Sequence, residues 1–269
     1  MIRKSFVLLS ALLMSTTLSL VHASSVQVTV TNHQSQGGFY FTPVWVGFHD
    51  GGFDTFNGGE AASSQLEALA EDGNVAPLRG VFGGNADGTA RVDSVVFGAD
   101  GFPGAPVFDP GESASELVDV TNAGSNRYLS FGSMIIPSND AFFANGNPFA
   151  YEIFNSDGDF NGPITISIYG QDIYDSGTEV NDGLGAAFSA TGGTDSVEGG
   201  VVGFSPGLDI FIGTDTAAGT TIGSAIGRNE LVATIQINDA NAVPEPSAVA
   251  IWAVFGIIGG FVAYRKQRR

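Results

Sequence analysis

The order of apolar and polar positions sets the first expectation. Residues 26–31 read Val-Gln-Val-Thr-Val-Thr, a strict alternation that suits a strand with one buried face. Residues 44–48 are aromatic and β-branched, and further strand signals follow at 92–97, 117–121, 128–136, 164–169 and 231–237. Clusters of Gly, Pro, Asn and Asp separate these runs and supply the turns between them. One segment carries a helical period: over 63–71, Leu66, Leu69 and Ala70 fall on one side, and Asp72-Gly73 is a stop. Many strands with one short helix predict an all-β fold, an antiparallel β-sandwich. No long linker or repeat divides residues 24–242, which are therefore expected to form one domain. Residues 183–203 are rich in Gly, Ala and Ser and are expected to be long, mobile surface loops.

The two ends break this pattern. Arg3-Lys4 precedes an apolar run over 6–13 and then Val21-His22-Ala23, the order of a secretory signal, so residues 1–23 are expected to be a signal helix that is removed on export. At the other end, Val243-Pro244-Glu245-Pro246-Ser247 is followed by uncharged residues 248–264 and then by Arg265-Lys266-Gln267-Arg268-Arg269. As a helix at 1.5 Å per residue that run spans about 25 Å, the short end of a membrane crossing, and the basic cluster would stay on the cytoplasmic side. A plain tail anchor has the same span and flank. The tripartite order over 243–269 closely resembles the PEP-CTERM sorting signal of Gram-negative bacteria. The resemblance implies a transmembrane helix that holds the protein at the inner membrane, with Pro244, Glu245 and Pro246 read by an exosortase-type processing enzyme. It also implies delivery to the cell surface or an exopolysaccharide matrix.

Charge and composition narrow the classes of function. The chain has no Cys, which excludes disulfides, thiolate zinc sites, iron–sulfur clusters and thiol catalysis. Residues 24–242 hold 27 acidic side chains against 4 basic ones. Such a surface repels nucleic acid and anionic lipid and favours cations.

Within that region the segments Val28-Thr29-Val30-Thr31-Asn32, Thr42-Pro43, His49-Asp50 and Ala70-Glu71-Asp72-Gly73-Asn74 come in order. They are followed by the block Phe131-Gly132-Ser133-Met134-Ile135-Ile136-Pro137-Ser138-Asn139-Asp140-Ala141-Phe142 and by Asp175-Ser176-Gly177-Thr178-Glu179-Val180-Asn181. Together they resemble a bacterial spondin domain over about 26–237. The resemblance implies a β-sandwich similar to calcium-dependent membrane-binding modules, with animal members in extracellular matrix and adhesion. The animal domains use cysteines that this chain lacks, so their disulfides and receptors are not implied here.

By motif, the family's calcium site maps onto Asp140, Asp175 and Glu179; animal members carry Asp at the last position. Physical chemistry points the same way. Carboxylates on converging loops repel unless a cation sits between them, and Ca2+ accepts six to eight oxygens at flexible angles. Solvated turns would use the same acids without any ion. Asp157-Gly158-Asp159-Phe160-Asn161-Gly162 matches the opening of an EF-hand loop, but its twelfth position is Ile168 and the same residues make a hairpin turn.

Enzymatic signals are sparse. Two histidines, His33 and His49, remain after the signal segment. His49-Asp50 could begin a hydrolase triad, which keeps a secreted hydrolase as a remote alternative, but no Gly-x-Ser-x-Gly, His-Glu-x-x-His, P-loop or dinucleotide fingerprint occurs. His49 is expected at a strand end packed near Trp45. Phe53, Phe56, Phe142 and Phe143 either stack on sugars or fill the sandwich ends. Two function classes follow: a calcium-binding adhesion or matrix-binding module whose partner is a polysaccharide or surface protein, and a structural matrix component without a specific ligand.

Overall fold

The computed structural model describes residues 23–99, 102–103, 105–192, 196–205 and 207–240. The expected signal helix, apart from Ala23, and the expected sorting segment with Pro244, Glu245, Pro246 and its helix lie outside the described residues. Among the described residues no helix is long and apolar enough to cross a membrane.

Eleven strands, numbered in chain order, form two sheets among the described residues, and every pairing is antiparallel. The first sheet has β5 (Ser113–Thr121), β1 (Ala23–Asn32), β11 (Leu231–Asp239) and β8 (Ile164–Tyr169) side by side in that order. The second runs β10 (Gly203–Phe204), β9 (Tyr174–Asp175), β7 (Ala141–Ala144), β6 (Tyr128–Ile136), β3 (Val44–His49) and β4 (Val92–Val96), with β2 (Tyr40–Phe41) also on β6. The first and last strands are neighbours, with Val26 opposite Asp239 and Asn32 opposite Ala233.

Alternation explains the first sheet. Val26, Val28 and Val30 point into the core while Gln27 is exposed, and Thr29 and Thr31 bond across the outer face to Ser115 (2.8 Å) and Ser113 (2.7 Å). Facing them from the second sheet are Val44, Val46, Phe48, Leu129, Phe131 and Phe143. Burying each such side chain contributes about 1.5–3 kcal/mol against an extended chain.

The second sheet is buried on both faces, which the expected two-layer sandwich does not require. Its outer face is covered by two helices, α1 (Ser64–Asp72) and α2 (Ala76–Phe82), packed on Trp45 and Phe142. Helix α1 starts where the sequence predicts: Ser63 Oγ accepts from the Leu66 N–H (3.3 Å), and Gly73 ends it in the left-handed region at φ 65°. Helix α2 escapes the sequence because it is seven residues long and contains Gly80 and Pro77, but Leu78 and Phe82, one turn apart, are its buried face. It lies very close to the sheet: a Cβ on Gly47 would sit 2.6 Å from Phe82 and 2.5 Å from Trp45.

Residues 183–203 hold little regular structure, as expected, yet they are pinned by single bridges. Ala187 pairs with Ser138, Val197 with Glu179, and Ser189 with Thr216.

Candidate metal centre

Strand register brings two of the three expected acids together. Asp140 immediately precedes β7, Asp175 ends β9, and Ala141 lies opposite Asp175 in the ladder. The block before Asp140 is the end of β6, a cis Ile136–Pro137 peptide and a turn in which the Ser138 hydroxyl bonds the Ile135 carbonyl (2.5 Å) and accepts from the Ala141 N–H (3.1 Å).

Asp140 is fully buried, and its Oδ2 is an organising acceptor. It takes hydrogen bonds from the Ser176 hydroxyl (2.9 Å), the Thr178 N–H (2.9 Å) and the Glu179 N–H (3.2 Å). Asp175 Oδ1 accepts from the Gly177 N–H at 2.7 Å. Between the two carboxylates stands Asn181, whose amide nitrogen is 2.5 Å from Asp175 Oδ2 and 3.4 Å from Asp140 Oδ1. Burial, and after it the negative charge of Asp140, pushes the Asp175 carboxyl up to about 6.

Glu179 is also buried; its backbone N–H reaches Asp140, and its carboxylate Oε1 accepts from the Ser196 N–H at 3.3 Å. A different acid stands in the neighbourhood. Glu71, in the last turn of α1, is raised chiefly by burial, hydrogen-bonds Thr178 and feels the charges of Glu67 and Asp140. Its place in Ala70-Glu71-Asp72-Gly73 was legible as a helix end, and nothing in the spacing tied it to Asp140.

Whether this cluster suits a cation turns on its oxygens. Among the described residues no group of three or more His, Cys, Asp or Glu is gathered as a metal cage. Two buried side-chain oxygens there lack a hydrogen-bond partner, and one is Asn139 Oδ1, adjacent to Asp140; the other is Asp109 Oδ1. The two carboxylates are the oxygens brought together here: the Asn181 amide presents its nitrogen to both, and Asn139, next to Asp140 in the chain, carries a buried oxygen without a donor.

The other sequence candidates have local roles. Asp157, Asp159 and Asn161 lie in a hairpin turn: Phe154 bridges Phe160, and Asn155 Oδ1 accepts from the N–H groups of Asp157 and Asp159, both at 2.9 Å. The Asn161 amide is spent on the Glu152 carbonyl at 3.1 Å. His49 ends β3 and is buried beside Phe53 and Phe82, which also pack on Trp45. Its Nδ1 accepts the Gly51 N–H at 2.9 Å, so Nε2 carries the proton and donates it to Ser130 Oγ at 2.9 Å. A histidine in that tautomer cannot draw a proton from the serine, and burial lowers its pKa to about 4. Asp50 bonds Gly52, Ala86 and Arg91 instead of His49. Phe142 and Phe143 fill opposite faces of the second sheet.

No model of a known protein family matches the chain, and no curated protein matches it.

Proposed function

We propose that this chain is an exported, calcium-supported adhesion or matrix-binding module, sorted to the cell surface through its C-terminal segment. The observation that carries the ion site is the pairing of fully buried Asp140 with half-buried Asp175, bridged by one amide. Asp140 and Asp175 would hold the cation. Asn181 joins them if its amide turns over and presents oxygen, because the N and O ends of an amide occupy nearly the same volume. Glu179 contributes by fixing Asp140 through its N–H, and its carboxylate is engaged with Ser196. Bound Ca2+ supplies the positive charge that two adjacent carboxylates lack, and so holds the loops 138–140 and 175–181 together.

Thermal unfolding of the full-length protein tests this. Calcium at about 100 times its dissociation constant should stabilise the fold by about 2.7 kcal/mol, a shift of several degrees. Asp140→Asn and Asp175→Asn should each abolish the shift. An equal shift in magnesium, or none in calcium, sinks the ion site.

The sorting proposal rests on Pro244-Glu245-Pro246, the uncharged run and the Arg-rich end. Mass spectrometry of the exported protein is expected to show loss of the mass beyond Pro244. An intact Arg269 in the mature product would overturn processing and favour a retained anchor.

A further inference from the structure

Residues of the edge strand β8 of the first sheet and of β7, β9 and β10 of the second line one open cleft, in which Tyr174 and Gly203 adjoin Asp175 of the carboxylate pair. The cleft has a volume of about 620 Å³, within the roughly 300–1,000 Å³ of sites that hold small molecules. Its walls combine two kinds of surface. The apolar part centres on Tyr174, which stacks on Phe204 with centroids 5.1 Å apart and planes 23° from parallel, and is backed by Phe56 at 4.7 Å. Phe204 is 70% exposed, an unusual position for a phenylalanine paired so closely with another ring. The polar part includes Asp172, Tyr151, Asn57 and Asn147. Burial, and then the charge of Asp172, pushes the phenols of Tyr151 and Tyr174 above their usual value, so both keep their protons and act as donors.

We infer that this cleft binds a neutral saccharide, with one sugar ring lying against the Phe204–Tyr174 platform and its hydroxyls met by Asp172, the tyrosines and the asparagine amides. A pyranose has an apolar C–H face and a rim of hydroxyls that both donate and accept, which matches an aromatic plate bordered by a carboxylate, phenols and amides. Charge selects against acidic sugars and nucleotides. The described lining includes no Lys, Arg or His, and Asp172 stands within it. The inference deepens the matrix-binding reading and rests on it for biological setting, but uses none of the residues of the calcium cluster.

Affinity electrophoresis of the full-length protein in neutral detergent tests it, with gels containing β-glucan, dextran, galactomannan or, as the anionic comparison, alginate. The expected result is retardation by at least one neutral polymer, about tenfold weaker for Phe204→Ala and weakened for Asp172→Asn. Asp140→Asn should be retarded like the wild type. Phe204 is largely exposed, and an Asn at position 172 keeps an oxygen for the Tyr169 N–H (2.9 Å), so neither change removes a buried support. Retardation that persists in chelator supports the cleft and removes calcium from recognition. No retardation by any neutral polymer, retention by alginate alone, or equal retention of wild type and both cleft variants overturns the inference, whatever calcium does to stability.

Discussion

Asp140→Ala is expected to destabilise the fold by about 3–5 kcal/mol, measured by chemical denaturation in chelator. The effect does not depend on calcium. Asp140 Oδ2 is the acceptor for the Ser176 hydroxyl and for the N–H groups of Thr178 and Glu179, and each buried donor left without a partner costs about 1–3 kcal/mol. Asp140→Asn keeps an oxygen in place and should lose less, which separates charge from hydrogen bonding.

The same pair of variants has a pH signature. Asp175 holds its proton up to about pH 6 in the fold against an ordinary value of 3.8, so between those pH values the folded state binds the proton that the unfolded chain has released. The Asp175 contribution to metal-free stability is therefore greatest below that window and falls as pH rises through it, while buried His49, lowered to about 4, contributes the opposite slope between about pH 4 and 6.5. The Asp175 part is read as the difference between the wild type and Asp175→Asn. Removing the Asp140 charge should flatten this slope. A wild-type slope no more negative than that of Asp175→Asn would show that Asp175 is not held in its neutral form.

Gly177→Ala is the second large effect, about 2–4 kcal/mol. Gly177 sits at φ +68°, where a Cβ is strained, and the added atom would lie 2.6 Å from Val201 N and 2.7 Å from Val201 O. Backbone cannot swing aside as a side chain can, so the 175–181 loop and the 200–201 segment must part. Gly111→Ala is the control: it has φ +85° with nothing within 4 Å of the new atom, and should cost only about 1 kcal/mol for the backbone conformation. Equal losses in the two variants would mean that the close approach at Gly177 does not exist in solution. The calcium response should disappear in Gly177→Ala and survive in Gly111→Ala.

These effects lie where the sequence was only partly readable. Strands with strict alternation, such as β1, or dense β-branched and aromatic content, such as β3 and β6, were visible because their period matches the pleat. Strand β7, the four residues Ala-Phe-Phe-Ala, was not, because it is buried on both faces and has no period to read. That omission matters, since β7 is the strand that sets Asp140 beside Asp175. The two-residue strands β9 and β10 owe their existence to tertiary pairing and leave no local mark. The second layer of packing was hidden likewise: Trp45, Leu66 and Phe142 looked like core without indicating a core on the far side of the sheet. At the candidate site, Asp140 and Asp175 were singled out through the motif resemblance and not by residue type or spacing, while Asn181 and Glu71 required knowledge of which turns face one another.

The antiparallel neighbours β1 and β11 also decide how the domain is presented. Chain entry at Ala23 and chain exit at Ala240 share one pole, because Val26 lies opposite Asp239, and β5 ends at that pole with Thr121 opposite Ala23. Strand β6 starts a short turn later and runs nine residues away from it, about 30 Å at strand rise, before the chain reaches Asp140. A tether pulling on either end therefore loads adjacent strands of one sheet at the near pole, and leaves the carboxylate loops at the far pole, outward and free of that load.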